Sequence, residues 1–213
     1  MSPSPERFAA IVPIRSWATG KSRLNLDDAE RTALGRAFAL DVLDVLDESP
    51  DVDLVVVVTA DDDVRSSVRG AEMLHDSGHS LDDAVAQGCE HVVASGRSRV
   101  VVVPSDLPCL TTAALSDVLA MSTDHEHAYG PDAEGEGTTL VVSQDASSLV
   151  TSYGPGSAAA HRTSGLVPLL DAPPEARRDV DTLAHLREAE TLGVGAHTAA
   201  VIAELSERAS RRP

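Results

Sequence analysis

Aromatic residues make up only 2% of this sequence, so its core has to be built from Val, Leu, Ile and Ala. Cysteine is nearly absent as well. Cys89 and Cys109 stand apart, without metal-ligand or secretory spacing, which excludes a disulfide framework and predicts two buried thiols in a reducing cytoplasm. No apolar run approaches the length of a membrane span, and the opening MSPSPER carries no signal-peptide pattern. A cytoplasmic protein is expected. Positive charge is scarce too: 17 Lys and Arg stand against 34 Asp and Glu, for a net charge of −17. Such a surface repels polyphosphate backbones and anionic membranes, so neither nucleic acid nor membrane is expected as a partner. Within that scarcity one residue stands out. Lys21 is the only lysine in the chain.

What is present suits a substantial core. The 213 residues are 42% apolar, enough for one domain. A strand is predicted over about 8–14, then a polar loop holding Arg15, Gly20, Lys21 and Arg23, then a helix over about 27–48 that Asp27 can cap. The continuous β-branched run DLVVVVT (53–59) reads as a parallel strand buried on both faces. A short helix (62–68), a brief strand (71–74), the polar loop HDSGHS (75–80) and a helix (81–95) follow. A second β-branched run, RVVVV (99–103), ends in PSDLP, and a helix begins at Thr111 or Thr112. This alternation predicts an α/β fold with a mostly parallel sheet, helices on both faces and right-handed crossovers. From about residue 126 the pattern changes to short strands (127–130, 138–143, 166–170) separated by the Gly-rich loops DAEGEG and YGPGS. Two helices, to about Leu192 and near 197–209, close the chain.

Ligands of parallel α/β sheets bind beyond the carboxyl ends of the strands. By that rule the Arg15–Arg23 loop, the His75–Ser80 loop and Asp106 converge. Gly20 lets backbone N–H groups face an anion, and Lys21 and Arg23 can partner phosphate oxygens. Asp106 follows a buried strand directly, between Pro104 and Pro108, a position suited to a divalent cation bridging a triphosphate. Asp179 and Asp181 alternate in DVDT, so in an extended segment they share one face and can join Asp106 around Mg²⁺. Equally, Asp181 can cap the helix that follows. YGPGS and GEGTT each offer a backbone cradle for an anion, with Thr138, Thr139 and Ser157 as hydroxyl donors.

Taken in order, VPIRSWATGKSRL, PSDLPCL, GEGTT, YGPGS with AAHR, and DVDT resemble the guanylyltransferases of deazaflavin coenzyme biosynthesis. These are 2-phospho-L-lactate guanylyltransferase and its bacterial phosphoenolpyruvate-using relatives, on the path to coenzyme F420. The resemblance spans about residues 8–193. It implies a single-domain, Rossmann-like, GT-A-type nucleotidyltransferase fold and transfer of GMP from GTP to a small phospho-acid, releasing pyrophosphate. It implies residue roles as well. Lys21, Arg23 and Asp106 would be catalytic, while Arg15, Gly20 and Asp82 would bind GTP. Thr138, Gly154 and Ser157 would hold phosphoenolpyruvate or phospholactate, and Asp106, Asp179 and Asp181 would hold Mg²⁺. On this likeness, residues 1–7 are a disordered N-terminus and 8–210 one domain. Its nucleotide-binding half is 8–122, its acceptor-binding half 123–195, and its last helix 196–210.

The sequence departs from those relatives in three places. Ser80, Leu81 and Asp82 stand where a Gly-Leu-Asn run is usual, Tyr153 where phenylalanine is, and Ala160 where an arginine often precedes the histidine. Asp82 can accept from the guanine N1–H and amino group, a pairing adenine cannot reproduce. Two other readings remain: a molybdenum-cofactor nucleotidyltransferase, and a non-catalytic nucleotide-binding relative. A homodimer and a hand-off of product to a downstream transferase are both compatible with the sequence.

Overall fold

The computed structural model describes residues 7–17, 24 and 26–210. Its organising element is β1 (Phe8–Pro13), whose six residues are all buried. Beside it lies β2 (Val52–Thr59), parallel, with Ile11 opposite Val56. Beyond β2 comes β3 (Glu72–His75), also parallel. On the other side β1 pairs in parallel with β4 (Val100–Val102). Two antiparallel pairings then follow, β4 with β6 (Thr138–Ser143) and β6 with β5 (His127–Pro131), and β7 (Val167–Pro168) runs parallel to β5 at the edge. The seven-stranded order is β3-β2-β1-β4-β6-β5-β7. The strands after residue 126 form this second half of the sheet, where β6 runs antiparallel to both of its neighbours.

Side chains of a strand alternate between its faces, and the two cores follow that period of two. Ala10, Val12, Val57 and Val101 face α1 (Asp28–Glu48) and α4 (Thr112–Met121). Ala9, Ile11, Val56 and Val102 face α3 (Leu81–Ala94), and Ala158 of α5 (Ser157–Thr163) packs into the same cluster. Helices therefore cover both faces of the sheet. α3 lies unusually close to it: a Cβ on Gly88 would meet Ile11 Cγ2 at 2.6 Å. α2 (Asp62–Ser67) and the one-turn α6 (Pro174–Arg177) complete the layers, the latter unforeseen because Pro174 to Arg177 has no apolar periodicity.

Each long helix starts where its side chains satisfy the first-turn amides. Asp27 and Glu30 form a reciprocal capping box on α1, and Ser80 and Asp83 do so on α3. α7 (Leu183–Leu192) is capped by Thr182, whose hydroxyl accepts from His185 N at 3.2 Å. α8 (Ala196–Ser210) is held from outside. The buried Asp41 carboxylate on α1 accepts from His197 N and Thr198 N, each at 2.9 Å. No helix among the described residues is long and apolar enough to cross a membrane.

Candidate active site

Where β1 and β4 end, the chain leaves the sheet on one rim. Val103 N still bonds Ile11 O, after which Pro104, Ser105 and Asp106 turn outward. Next door, Arg15 Nη2 donates to the carbonyl of His79 at 3.3 Å, tying the exit of β1 to the loop before α3. A hydrogen bond from Ser16 holds the Asp61 carboxyl below its usual range and anchors that exit to the start of α2. A far segment joins them: Val180 N donates to Asp106 O at 3.1 Å, and this single backbone bond brings Asp181 to the rim. Together Arg15, Ser16, Trp17, Leu81, Asp106 and Asp181 line a cavity of about 230 Å³.

Thr182, not Asp181, caps α7, which leaves Asp181 to face this cavity. Asp179 is placed differently from the expected metal set. Among the described residues, the three acidic side chains whose ligand atoms lie within 4.8 Å of one another are Asp132, Glu134 and Asp179, rather than Asp106, Asp179 and Asp181. The strict alternation expected of DVDT ends at Asp181, where the chain bends into α7. The observed trio is already engaged by protein groups. Asp132 accepts from the amides of Glu136 (2.9 Å) and Gly137 (2.7 Å), and Glu134 accepts from the buried Arg178 at 2.8 Å. The same bonds close the DAEGEG turn on itself, so the amides of Glu136 and Gly137 do not form the open cradle expected of GEGTT.

The second half of the site hangs on the loop 151–157. Asp82, in the first turn of α3, accepts through Oδ1 from Thr151 Oγ1 at 2.7 Å and from Tyr153 N at 2.9 Å. The residue expected to read guanine thus anchors the opposite loop with one oxygen. On its other side the loop is pinned by His161, fully buried on α5. Ser152 N donates to His161 Nε2 at 2.9 Å, so the ring proton sits on Nδ1 and is donated to Thr138 Oγ1, also at 2.9 Å. His161 is therefore a neutral strut, not a donor to an anion. Thr138, having accepted that proton, is left with its own O–H to give. Burial pushes the His161 pKa down, opposed by the charge of Asp82 and a bond that the ring donates to the Ser157 backbone. Tyr153 packs edge-on against His161, ring centroids 5.3 Å apart. Burial, and then the charges of Asp82 and Asp106, push its phenol pKa up.

Of the expected site residues, Arg15, Asp106 and Asp181 share the cavity, and Asp82, Thr138, Gly154 and Ser157 belong to the adjoining loop network. Gly154 (φ 132°) and Gly156 (φ 74°) take backbone angles that other residues rarely adopt, which lets the loop turn into α5 beside the buried Ser157. Gly20, Lys21 and Arg23 lie outside the described residues, as does the expected disordered tail apart from Arg7. Trp17 and Thr151 were missed. Nothing local marks Thr151, which meets Asp82 across 69 positions.

The family described as Guanylyl transferase CofC like matches residues 8–164. The chain belongs to this family. A phosphoenolpyruvate guanylyltransferase of Streptomyces coelicolor is 41% identical over 208 residues, covering 93% of this chain and 97% of the relative. Another, of Streptomyces avermitilis, is 37% identical, with 93% and 95% covered. Among solved structures, a cytidylyltransferase from Leptospira borgpetersenii superposes with a TM-score of 0.54 at 15% identity, over 96% of this chain and 95% of that one. Likeness at that identity speaks for the fold alone. The Guanylyl transferase CofC like match takes in Arg15, Asp82, Asp106, Thr138 and Ser157, and stops before the DVDT segment.

Proposed function

We propose that this chain moves GMP from GTP to the phosphate of phosphoenolpyruvate, releasing pyrophosphate, in the biosynthesis of coenzyme F420. The observation that carries this reading is the cavity where Arg15, Asp106 and Asp181 meet at the carboxyl rim of the sheet, in a chain of this family. The names of its relatives favour phosphoenolpyruvate over 2-phospho-L-lactate as acceptor.

An acceptor phosphate oxygen attacks the α-phosphorus of GTP in line. The new P–O bond forms as the bond from α-phosphorus to the bridging oxygen breaks, and pyrophosphate leaves. No protein nucleophile is required, so the protein positions the reactants and neutralises charge. Arg15, Gly20, Lys21 and Arg23 would engage the triphosphate. Asp82, with Oδ1 bound to the loop, keeps Oδ2 for the guanine edge. Thr138, Gly154 and Ser157 would hold the acceptor, and the His161 bond aims the Thr138 O–H away from the ring. The nucleotide would rest on residues 8–122 and the acceptor on 123–195.

The donor set fits Mg²⁺, because carboxylate oxygens are what that ion prefers. Asp106 and Asp181 would hold it, and Asp179, grouped with Asp132 and Glu134, is the remaining carboxylate of that segment. When bound, Mg²⁺ supplies neutralisation of the phosphate charge. A pyrophosphate-release assay across nucleotides and three-carbon phospho-acids tests the reading. Release is expected with GTP, Mg²⁺ and phosphoenolpyruvate together. Silence with every phospho-acid would remove it.

A further inference from the structure

The loop before α5 is held at both ends and open in the middle. At its near end Asp82 accepts through one oxygen, Oδ1, from Thr151 Oγ1 at 2.7 Å and from Tyr153 N at 2.9 Å. Between them Ser152 N is held by His161 Nε2. Thr151, Ser152 and Tyr153 are thus each fastened to a helix, the outer two to α3 and the middle one to α5. At its far end Ala158 N donates to Glu136 O at 3.2 Å, and Ser157 and Ala158 are buried. Gly154 and Gly156 lie in between at positive φ, and a Cβ on either would meet nothing within 4 Å. Packing does not hold these glycines, so their place follows from the fastened ends.

Two of the three bonds at the near end come from backbone amides, which any residue but proline supplies. The third needs a hydroxyl, and Thr151 provides it. Asp82 is not required for capping, since Ser80 and Asp83 complete the box at the start of α3. A hydrogen bond to an ionised carboxylate is also among the stronger kinds. We infer that Thr151 is a positioning residue for the acceptor: by donating to Asp82 it sets the loop so that Gly154 and Ser157 stand ready for phosphoenolpyruvate. The inference rests on the acceptor site proposed above and adds to it a residue that does not touch the substrate. A loop set in advance spares the acceptor the entropy of ordering a glycine turn. Without the tie that cost falls on binding, which raises KM and leaves kcat in place.

The variant Thr151→Val keeps the branched shape and drops the donor. Its KM for phosphoenolpyruvate should rise about tenfold, with kcat and the KM for GTP within about twofold of native, because Tyr153 N still holds Asp82. Thr151→Ser restores the hydroxyl and should bring the KM for phosphoenolpyruvate back to within about twofold of native. A valine variant that unfolds in less urea but leaves the two KM values in their native ratio would overturn the inference. Should that variant fail to fold, the native chain decides. Before any acceptor is added, its Tyr153 amide should exchange at least about tenfold more slowly than in a free peptide; fast exchange there would overturn the inference. Native turnover beside an unchanged KM in the valine variant would remove the role of Thr151 and leave the proposed function standing. No turnover by the native chain with any phospho-acid would overturn the two together.

Discussion

His161 shows how one side chain fixes a loop. Its Nε2 lone pair holds Ser152 N and its Nδ1 proton holds Thr138, so protonation would break the first bond and place a charge in the core. Burial lowers its pKa, which means the unfolded chain takes up this proton first as pH falls. The stability contributed by neutral His161 is complete above about pH 6.5 and is lost progressively below it, as the unfolded form is protonated. In an NMR titration the midpoint of its ring resonances should lie below 6.5; a midpoint at or above 6.5 would contradict the assignment. Tyr153 presents the opposite case. Its hydroxyl is buried without a partner among the described residues, so Tyr153→Phe removes a penalty and keeps the ring against His161. That variant should be about 1 kcal/mol more stable in urea unfolding. A loss of more than that would show that the hydroxyl is bonded. Asp106 could be picked out from sequence because a buried strand and two prolines fix its place. The tie between Asp82 and Thr151 could not, because only the folded chain brings them together.

At the scale of elements, the tightest joint is α3 on β1. Gly88 lets the helix backbone approach Ile11, and α3 in turn presents Asp82 and Leu81 to the rim. Gly88→Ala is expected to cost about 1–3 kcal/mol of stability, since its methyl overlaps Ile11 and the core has no slack to absorb it. Urea unfolding checks this; an unchanged midpoint would mean that α3 slides freely on the sheet. Most elements were legible because period-two and helical patterns in β1, β2, α1 and α3 directly report what each buries. The antiparallel direction of β6 left no such mark, as a short β-branched strand reads the same either way. The place of Asp179 was obscured by the bend after Asp181, and the capping role went to Thr182, whose hydroxyl sits one residue nearer the helix.

Across the whole molecule, charge sets the terms of binding. A chain of net charge −17 repels GTP, and the rim adds Asp106 and Asp181 to that field. Chelating divalent cations should therefore weaken GTP binding by more than about tenfold in calorimetry, the expectation for two carboxylates left facing phosphates. Equal affinity in EDTA would place the nucleotide away from Asp106 and Asp181. The most direct test of the account follows phosphorus itself, by ³¹P NMR of the protein with GTP, Mg²⁺ and phosphoenolpyruvate. The account predicts that GTP and phosphoenolpyruvate signals fall together. Free pyrophosphate should rise in equal amount, beside a new pair of coupled diphosphate resonances. GTP that stays intact beside phosphoenolpyruvate, or that decays to GDP and inorganic phosphate while the acceptor is untouched, would contradict it.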